Sequence, residues 1–200
     1  MTALKFATVF AGALALAGCA TTPQPVEVTR FVAPSAQDQL AQGTIFVESA
    51  PGDQAAGIEL SPYKSAVAQQ LAALGYREAP RDGASQIAQV SVERSARMSG
   101  SGRSPVSVGL GGGTGGYSSG VGMGIGINLG GGPKEVIDTR LHVMIRDRQS
   151  GQSVWEGRAE HVSAASSAQA DPAGSAATMA KALFTDFPGN NGETISVGVK

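Results

Sequence analysis

Ile137, Thr139, Leu141, Val143 and Ile145 stand at every second position of one stretch, with His142, Met144 and Arg146 among the residues between them. A spacing of two returns side chains to one face of a β-strand, so this stretch reads as a half-buried strand. Asp147-Arg148-Gln149-Ser150-Gly151 follows with turn chemistry, and Val154-Trp155-Glu156-Gly157-Arg158-Ala159 returns antiparallel as the second arm of a hairpin. A ribbon with one apolar face needs a layer to cover it, and that requirement directs the reading of the rest of the chain.

The covering layer comes from two helices. Ser61-Pro62 predicts a helix start as N-cap and first helical residue, Tyr63, Val67, Leu71 and Leu74 fall on one face, and Gly75 stops it. Asp171-Pro172 predicts a second start, with Ala176, Met179, Ala180, Leu183 and Phe187 on one stripe and Pro188-Gly189 at its end. Further strands are predicted at Val26, Val28 and Phe31-Val32, at Thr44-Ile45-Phe46-Val47, at Ala88, Val90 and Val92, and at Ile195, Val197 and Val199. The expected fold class is α+β: a mainly antiparallel β-sheet with two helices packed on one face and a glycine-rich β-hairpin insertion.

The N-terminus reads as an address. Lys5 supplies a positive charge, and Phe6 to Ala17 is an apolar run of secretory length, too short to span a bilayer. Leu16-Ala17-Gly18-Cys19 resembles the bacterial lipobox, in which small residues precede a cysteine that is lipidated and becomes the new N-terminus. Cys19 is the single cysteine of the chain, so neither a disulfide framework nor a cysteine-based metal site is expected. The expected division is 1–18 signal peptide, 19–25 lipidated N-terminus and tether, and 26–200 a single α+β domain with a glycine-rich insertion at 99–132. Ala20 stands where inner-membrane retention usually has Asp, which implies the outer membrane, facing the periplasm. Several acyl chains, palmitate among them, would anchor such a protein almost permanently, since one chain alone holds only marginally.

Charge and motif content argue against several functions. Without Lys5 the chain has 14 basic and 16 acidic residues, a net charge of −2 with no run of either sign, which argues against nucleic acid. His142 is out of phase with its apolar neighbours and His161 lies near the end of the next strand, so both are expected as surface histidines without a zinc site. Asp147 reads as turn chemistry, not as a general base, and Trp155 as a core anchor. Gly116-Tyr117-Ser118-Ser119-Gly120 fits GxSxG in form only, since no helix is expected to open after it, so no nucleophile elbow is expected. The expectation is a non-catalytic protein without cofactor, the rival being a hydrolase whose dispersed site leaves no local motif.

Fifteen of the 28 glycines lie between 100 and 132. Gly111-Gly112-Gly113-Thr114-Gly115-Gly116 formally fits GxGxxG, but no helix opens on its last glycine and no GK[ST] is present, so nucleotide binding is not expected. The spacing is more informative. Val121, Met123, Ile125, Ile127 and Leu129 alternate with Gly122, Gly124, Gly126 and Asn128, after Val106, Val108 and Leu110 have alternated with Ser107 and Gly109. This predicts a β-hairpin over 105–130 with one apolar and one nearly bare face. Burying its eight apolar side chains would gain on the order of 10 kcal/mol. Ordering each strand glycine costs about 0.5 to 1 kcal/mol, so burial wins wherever a partner surface exists. Val121, Met123, Ile125, Ile127 and Leu129 are therefore the candidate interaction residues. The domain's own core is the favoured partner, by extension of the sheet. A second copy or another envelope protein comes next. Lipid insertion is disfavoured, because the longer arm barely reaches spanning length and Tyr117 is the one aromatic available for a belt.

"LAALGY" (71–76), "RLHVMIRDRQSGQSVWEGRA" (140–159) and "MAKALFTDFPG" (179–189) resemble the bacterial lipoproteins grouped as a domain of unknown function, DUF4136. The resemblance implies an α+β lipoprotein of the outer membrane or periplasm, and it brings no reaction, ligand or catalytic residue. The expected role is an envelope lipoprotein acting as a periplasm-facing scaffold or binding module. The alternative is an assembly component that oligomerises or inserts in the membrane through the glycine-rich hairpin.

Overall fold

The computed structural model describes residues 23–52, 59–99 and 134–199, together with the backbone of 106–111 and 122–127. In chain order the elements are β1 (Val26–Val32), β2 (Thr44–Ser49), α1 (Ser61–Ala73), β3 (Arg77–Glu78), β4 (Gln86–Ser99), β5 (Val106–Gly111), β6 (Gly122–Ile127), β7 (Lys134–Asp147), β8 (Ser153–Ala164), α2 (Pro172–Leu183) and β9 (Thr194–Val197). The main sheet has seven strands in the order β3-β2-β4-β7-β8-β1-β9.

This sheet is mixed, which corrects the expected mainly antiparallel arrangement: β2 pairs parallel with both β3 and β4, while the pairs from β4 to β9 are antiparallel. The physical reason is the helix. Returning the chain through α1 between β2 and β4 makes a crossover, and a crossover delivers the next strand in the same direction.

The alternation read in β4 and β7 is the burial pattern of the sheet. Ala88, Val90 and Val92 with Leu141, Val143 and Ile145 are buried on the face covered by α1 and α2, in one cluster with Val26, Val28, Tyr63, Val67, Leu71, Met179 and Leu183. Each helix differs from its predicted bounds. Leu60, fully buried, caps α1 in place of Ser61, and its carbonyl accepts from Lys64 N at 3.0 Å. α2 ends at Leu183, before the Pro188-Gly189 stop, whereas its start is as read, with Asp171 Oδ2 accepting from Ala173 N and Gly174 N. Phe31, paired in the sequence with Val32, is turned to the opposite face and is 42 % exposed.

Two buried arrangements fasten the C-terminal segment to the sheet. Arg30 occupies an apolar phase of β1 and has no solvent exposure. Its Nε donates to Leu183 O at 3.2 Å, Nη2 to Thr185 O at 2.5 Å and Nη1 to Glu193 Oε1 at 2.9 Å. Hydrogen bonds from Asn190, and then the Arg30 guanidinium, hold the Glu193 carboxyl below the usual carboxylate range. Trp155 stacks on Phe184 with ring centroids 5.4 Å apart, meets Phe187 at 5.2 Å, and donates from Nε1 to Pro188 O at 2.9 Å. Gly157 makes room for this indole: a Cβ there would lie 2.2 Å from Trp155 Cη2 and 2.8 Å from Leu183 Cδ1.

β5 and β6 pair antiparallel as a separate two-stranded sheet and are not hydrogen-bonded into the seven-stranded one. The expected extension of the main sheet is thereby corrected. The register sets Val106, Val108 and Leu110 opposite Ile127, Ile125 and Met123, and glycine opposite glycine at Gly109–Gly124 and Gly111–Gly122. Cys19, Tyr117, Val121 and Leu129 lie outside the described residues.

Candidate functional site

The side of the sheet turned away from the helices is built by the positions between the core residues. Row by row across β4, β7, β8 and β1 it presents Glu93, Arg140, Glu160 and Glu27, then Ser91, His142, Arg158 and Thr29, then Gln89, Met144, Glu156 and Phe31. Opposite charges face each other across strands. Arg140 lies 3.7 Å from Glu93 and 3.6 Å from Glu160, Arg158 bonds Glu156 at 2.6 Å, Arg97 pairs with Asp138, and Arg81 bonds Glu48 at 2.8 Å. Arg81 is also the main reason the Glu48 carboxyl is held below its ordinary value. The Arg158 guanidinium sits 5.9 Å from the centre of the Phe31 ring.

His142 belongs to this network. Its Nε2 is 3.1 Å from Glu156 Oε1, within ion-pair range but without the angle of a hydrogen bond. The hollow beside it, about 220 Å³, brings Glu93 and Glu160 near the ring. Each of the carboxylates around His142 has an arginine partner. Exposed pairs of this kind contribute about 0 to 1 kcal/mol each, so this part of the surface is a solvated lattice of charge pairs.

His161 is placed differently from the expected surface position. It lies on the helix side of β8, 4 % exposed, with Nδ1 at 3.4 Å from Pro25 O, and since a carbonyl only accepts, Nδ1 bears the proton. The two histidines are thus on opposite faces of the sheet and form no common site. Asp147 accepts from the N–H and hydroxyl of Ser150, both at 2.7 Å, and these bonds, the backbone one first, lower its pKa as the turn reading implies. Among the described residues no group of three His, Cys, Asp or Glu is arranged to hold a metal.

Burial lowers the His161 pKa below the ordinary 6.5, and the Pro25 carbonyl opposes this more weakly. The unfolded chain therefore binds the proton first as pH falls. The stability contributed by neutral His161 is present above about pH 6.5 and is lost on acidification below it. Urea midpoints should fall between about pH 7.5 and about pH 5.5, with a flatter slope in His161→Gln; equal slopes would refute this assignment. The lowered carboxylates Glu48, Asp147 and Glu193 titrate below this window.

The end of the sheet where β1 begins gathers several features. β4 ends and β7 starts there, as the pairs run on from Arg94–Thr139 to Ser99–Lys134 beyond the row of Glu27. Six further pairs amount to about 20 Å of ribbon. Pro23 and Gln24 share a hollow of about 510 Å³ with Arg97, Ser99, Lys134 and Val162, so the segment preceding β1 runs alongside the ribbon. Met98, near the ribbon's end, is 62 % exposed. Residues 100–133, which contain β5 and β6, connect Ser99 to Lys134.

Among solved structures, the chain is similar to the PelC dodecamer from Paraburkholderia phytofirmans, with 14% identity and a TM-score of 0.43 over 80% of this chain and 94% of that one. It is also similar to a PDZ domain protein from Parabacteroides distasonis, with 11% identity and a TM-score of 0.53 over 88% of this chain. The chain spans 39% of the length of that protein, and the likeness is one of fold alone. No curated protein matches. A family model matches residues 35–189, the stretch that holds the ribbon, both helices and the Trp155 cluster, and the chain accordingly belongs to the family described as "Domain of unknown function (DUF4136)".

Proposed function

We propose that this protein is a non-catalytic envelope lipoprotein, anchored in the outer membrane through acylated Cys19 and facing the periplasm as a scaffold or binding module. The observation that carries the reading is the lipobox Leu16-Ala17-Gly18-Cys19, placed so that residues 20–25 alone separate the acylated cysteine from β1. The steps from Cys19 to Val26 reach at most about 25 Å, which would keep the domain against the leaflet. The glycine-rich hairpin, with Val121, Met123, Ile125, Ile127 and Leu129, is the interaction element, and the arginine-paired sheet face supports binding by charge complementarity over chemistry.

Palmitate labelling of envelope fractions tests the anchor. Label should enter the wild-type protein and be lost from Cys19→Ala, which should leave the membrane fraction; equal labelling of both would refute it. Turnover abolished by His142→Ala with the fold intact would favour an enzyme instead.

A further inference from the structure

We infer that the end of the β4–β7 ribbon, with the β5–β6 sheet it carries, rests on the phospholipid leaflet in which Cys19 is anchored. The inference rests on the proposed acylation of Cys19 and names the surface that the hairpin meets.

Three observations converge on it. The chain before β1 has already come alongside the ribbon at Pro23 and Gln24, in the hollow shared with Arg97, Ser99 and Lys134. Three residues lie between Cys19 and Pro23, a reach of at most about 14 Å, so an anchor at Cys19 would be tied to the side of the domain where Pro23 meets the ribbon and not to the Asp147–Gly151 turn at the other end of β7. Next, an apolar side chain is exposed just there: Met98 is 62 % accessible one residue before the end of β4. Finally, the segment attached at that end carries the paired alternation of β5 and β6, which assigns Val106, Val108, Leu110, Met123, Ile125 and Ile127 to one face and glycine or serine to the other.

Length decides how this face meets lipid. β5 and β6 have six residues each, short of the roughly 9 to 11 that a membrane-crossing strand requires. A two-stranded sheet that short, with one apolar face, lies in the interface and buries that face to the depth of the headgroup and upper acyl region.

The test uses the acylated full chain. Cys19, alkylated on sulfur, takes no thiol label, so Ile125→Cys, Met98→Cys and Gln149→Cys each accept one environment-sensitive fluorophore. The proteins are reconstituted in phosphatidylethanolamine–phosphatidylglycerol vesicles carrying a nitroxide phospholipid. Labels at 125 and 98 should lose about half their fluorescence, more with the nitroxide near the headgroup than near the chain end, and the label at 149 should be unaffected. Vesicle flotation separates the two readings. Protein that floats with all three labels equally unquenched keeps the anchor and overturns the inference. Failure to float overturns the anchor and the inference with it. Disulfide-linked dimers of Ile125→Cys without lipid quenching would assign the face to a second copy, and would also overturn the inference.

Discussion

Arg30→Ala is expected to lower stability by about 3 to 5 kcal/mol, because it strips a fully buried position of a charge that three acceptors depend on. Leu183 O and Thr185 O, the carbonyls at the end of α2, lose their donors, and Glu193 loses its counter-ion. For a domain of this size the midpoint of thermal unfolding should drop by roughly 10 °C. Arg30→Lys should recover little, since a single ammonium cannot reproduce a planar fork that reaches three separate acceptors. Glu193→Gln, by contrast, should cost much less, as Glu193 is partly exposed and the introduced amide oxygen can still accept from Asn190 and Arg30. Differential scanning calorimetry of the three variants ranks them, and Arg30→Ala no worse than Glu193→Gln would refute the account.

The second large effect centres on the indole. Trp155→Ala should cost about 3 to 5 kcal/mol through lost burial, a cavity between Phe184 and Phe187, and the orphaned Pro188 carbonyl. Gly157→Ala should cost about 1 to 3 kcal/mol, because its Cβ would fall on the Trp155 ring. The two are coupled. In a Trp155→Ala background the added methyl enters space the indole has left and only the Leu183 side chain must give, so Gly157→Ala should then cost clearly less. Urea unfolding of the four proteins of this cycle measures the coupling, and simple additivity would show that the close approach at Gly157 is unimportant. The aromatic trio also explains why "MAKALFTDFPG" matters as a unit: Phe184 and Phe187 pack on the tryptophan, Pro188 accepts from it, and Leu183 helps to fill the space a side chain at Gly157 would need.

Periodicity made the strands and helices legible where one period operated over many residues. β4 alternates from Ala88 to Val92 and β7 from Thr139 to Ile145, and those positions are buried, whereas Ile137 is half-buried and its out-of-phase neighbour Val136 is buried instead. The turn at Asp147 and the start of α2 at Asp171 were likewise readable, because local hydrogen bonds specify them. Parallel pairing of β2 was not, since strand direction follows from the route of the connection, and no residue within β2 encodes it. His161 illustrates a phase missed near a strand end: counted from Trp155, Gly157 and Ala159, it falls on the buried face. Arg30 had a signal as well. An arginine in step with Val26, Val28 and Val32 announces a buried cation, though not that its partners would come from residues 183, 185 and 193. The proposed lipidation of Cys19 rests on the sequence motif alone, since Cys19 lies outside the described residues.

The seven-stranded sheet ends in a two-residue strand, β3, on one side and a four-residue strand, β9, on the other. In free solution such short margins would be one safeguard among several against strand-to-strand recruitment. A protein confined to a leaflet meets its own copies in a plane, with a fixed up-and-down orientation and at an effective concentration far above that of the surrounding fluid. Under those conditions a long open edge would be a seed for lateral polymerisation. Where β3 and β9 form the margin, two and four residues offer few ladder groups to begin it, so copies anchored as proposed would have little there with which to zip edge to edge.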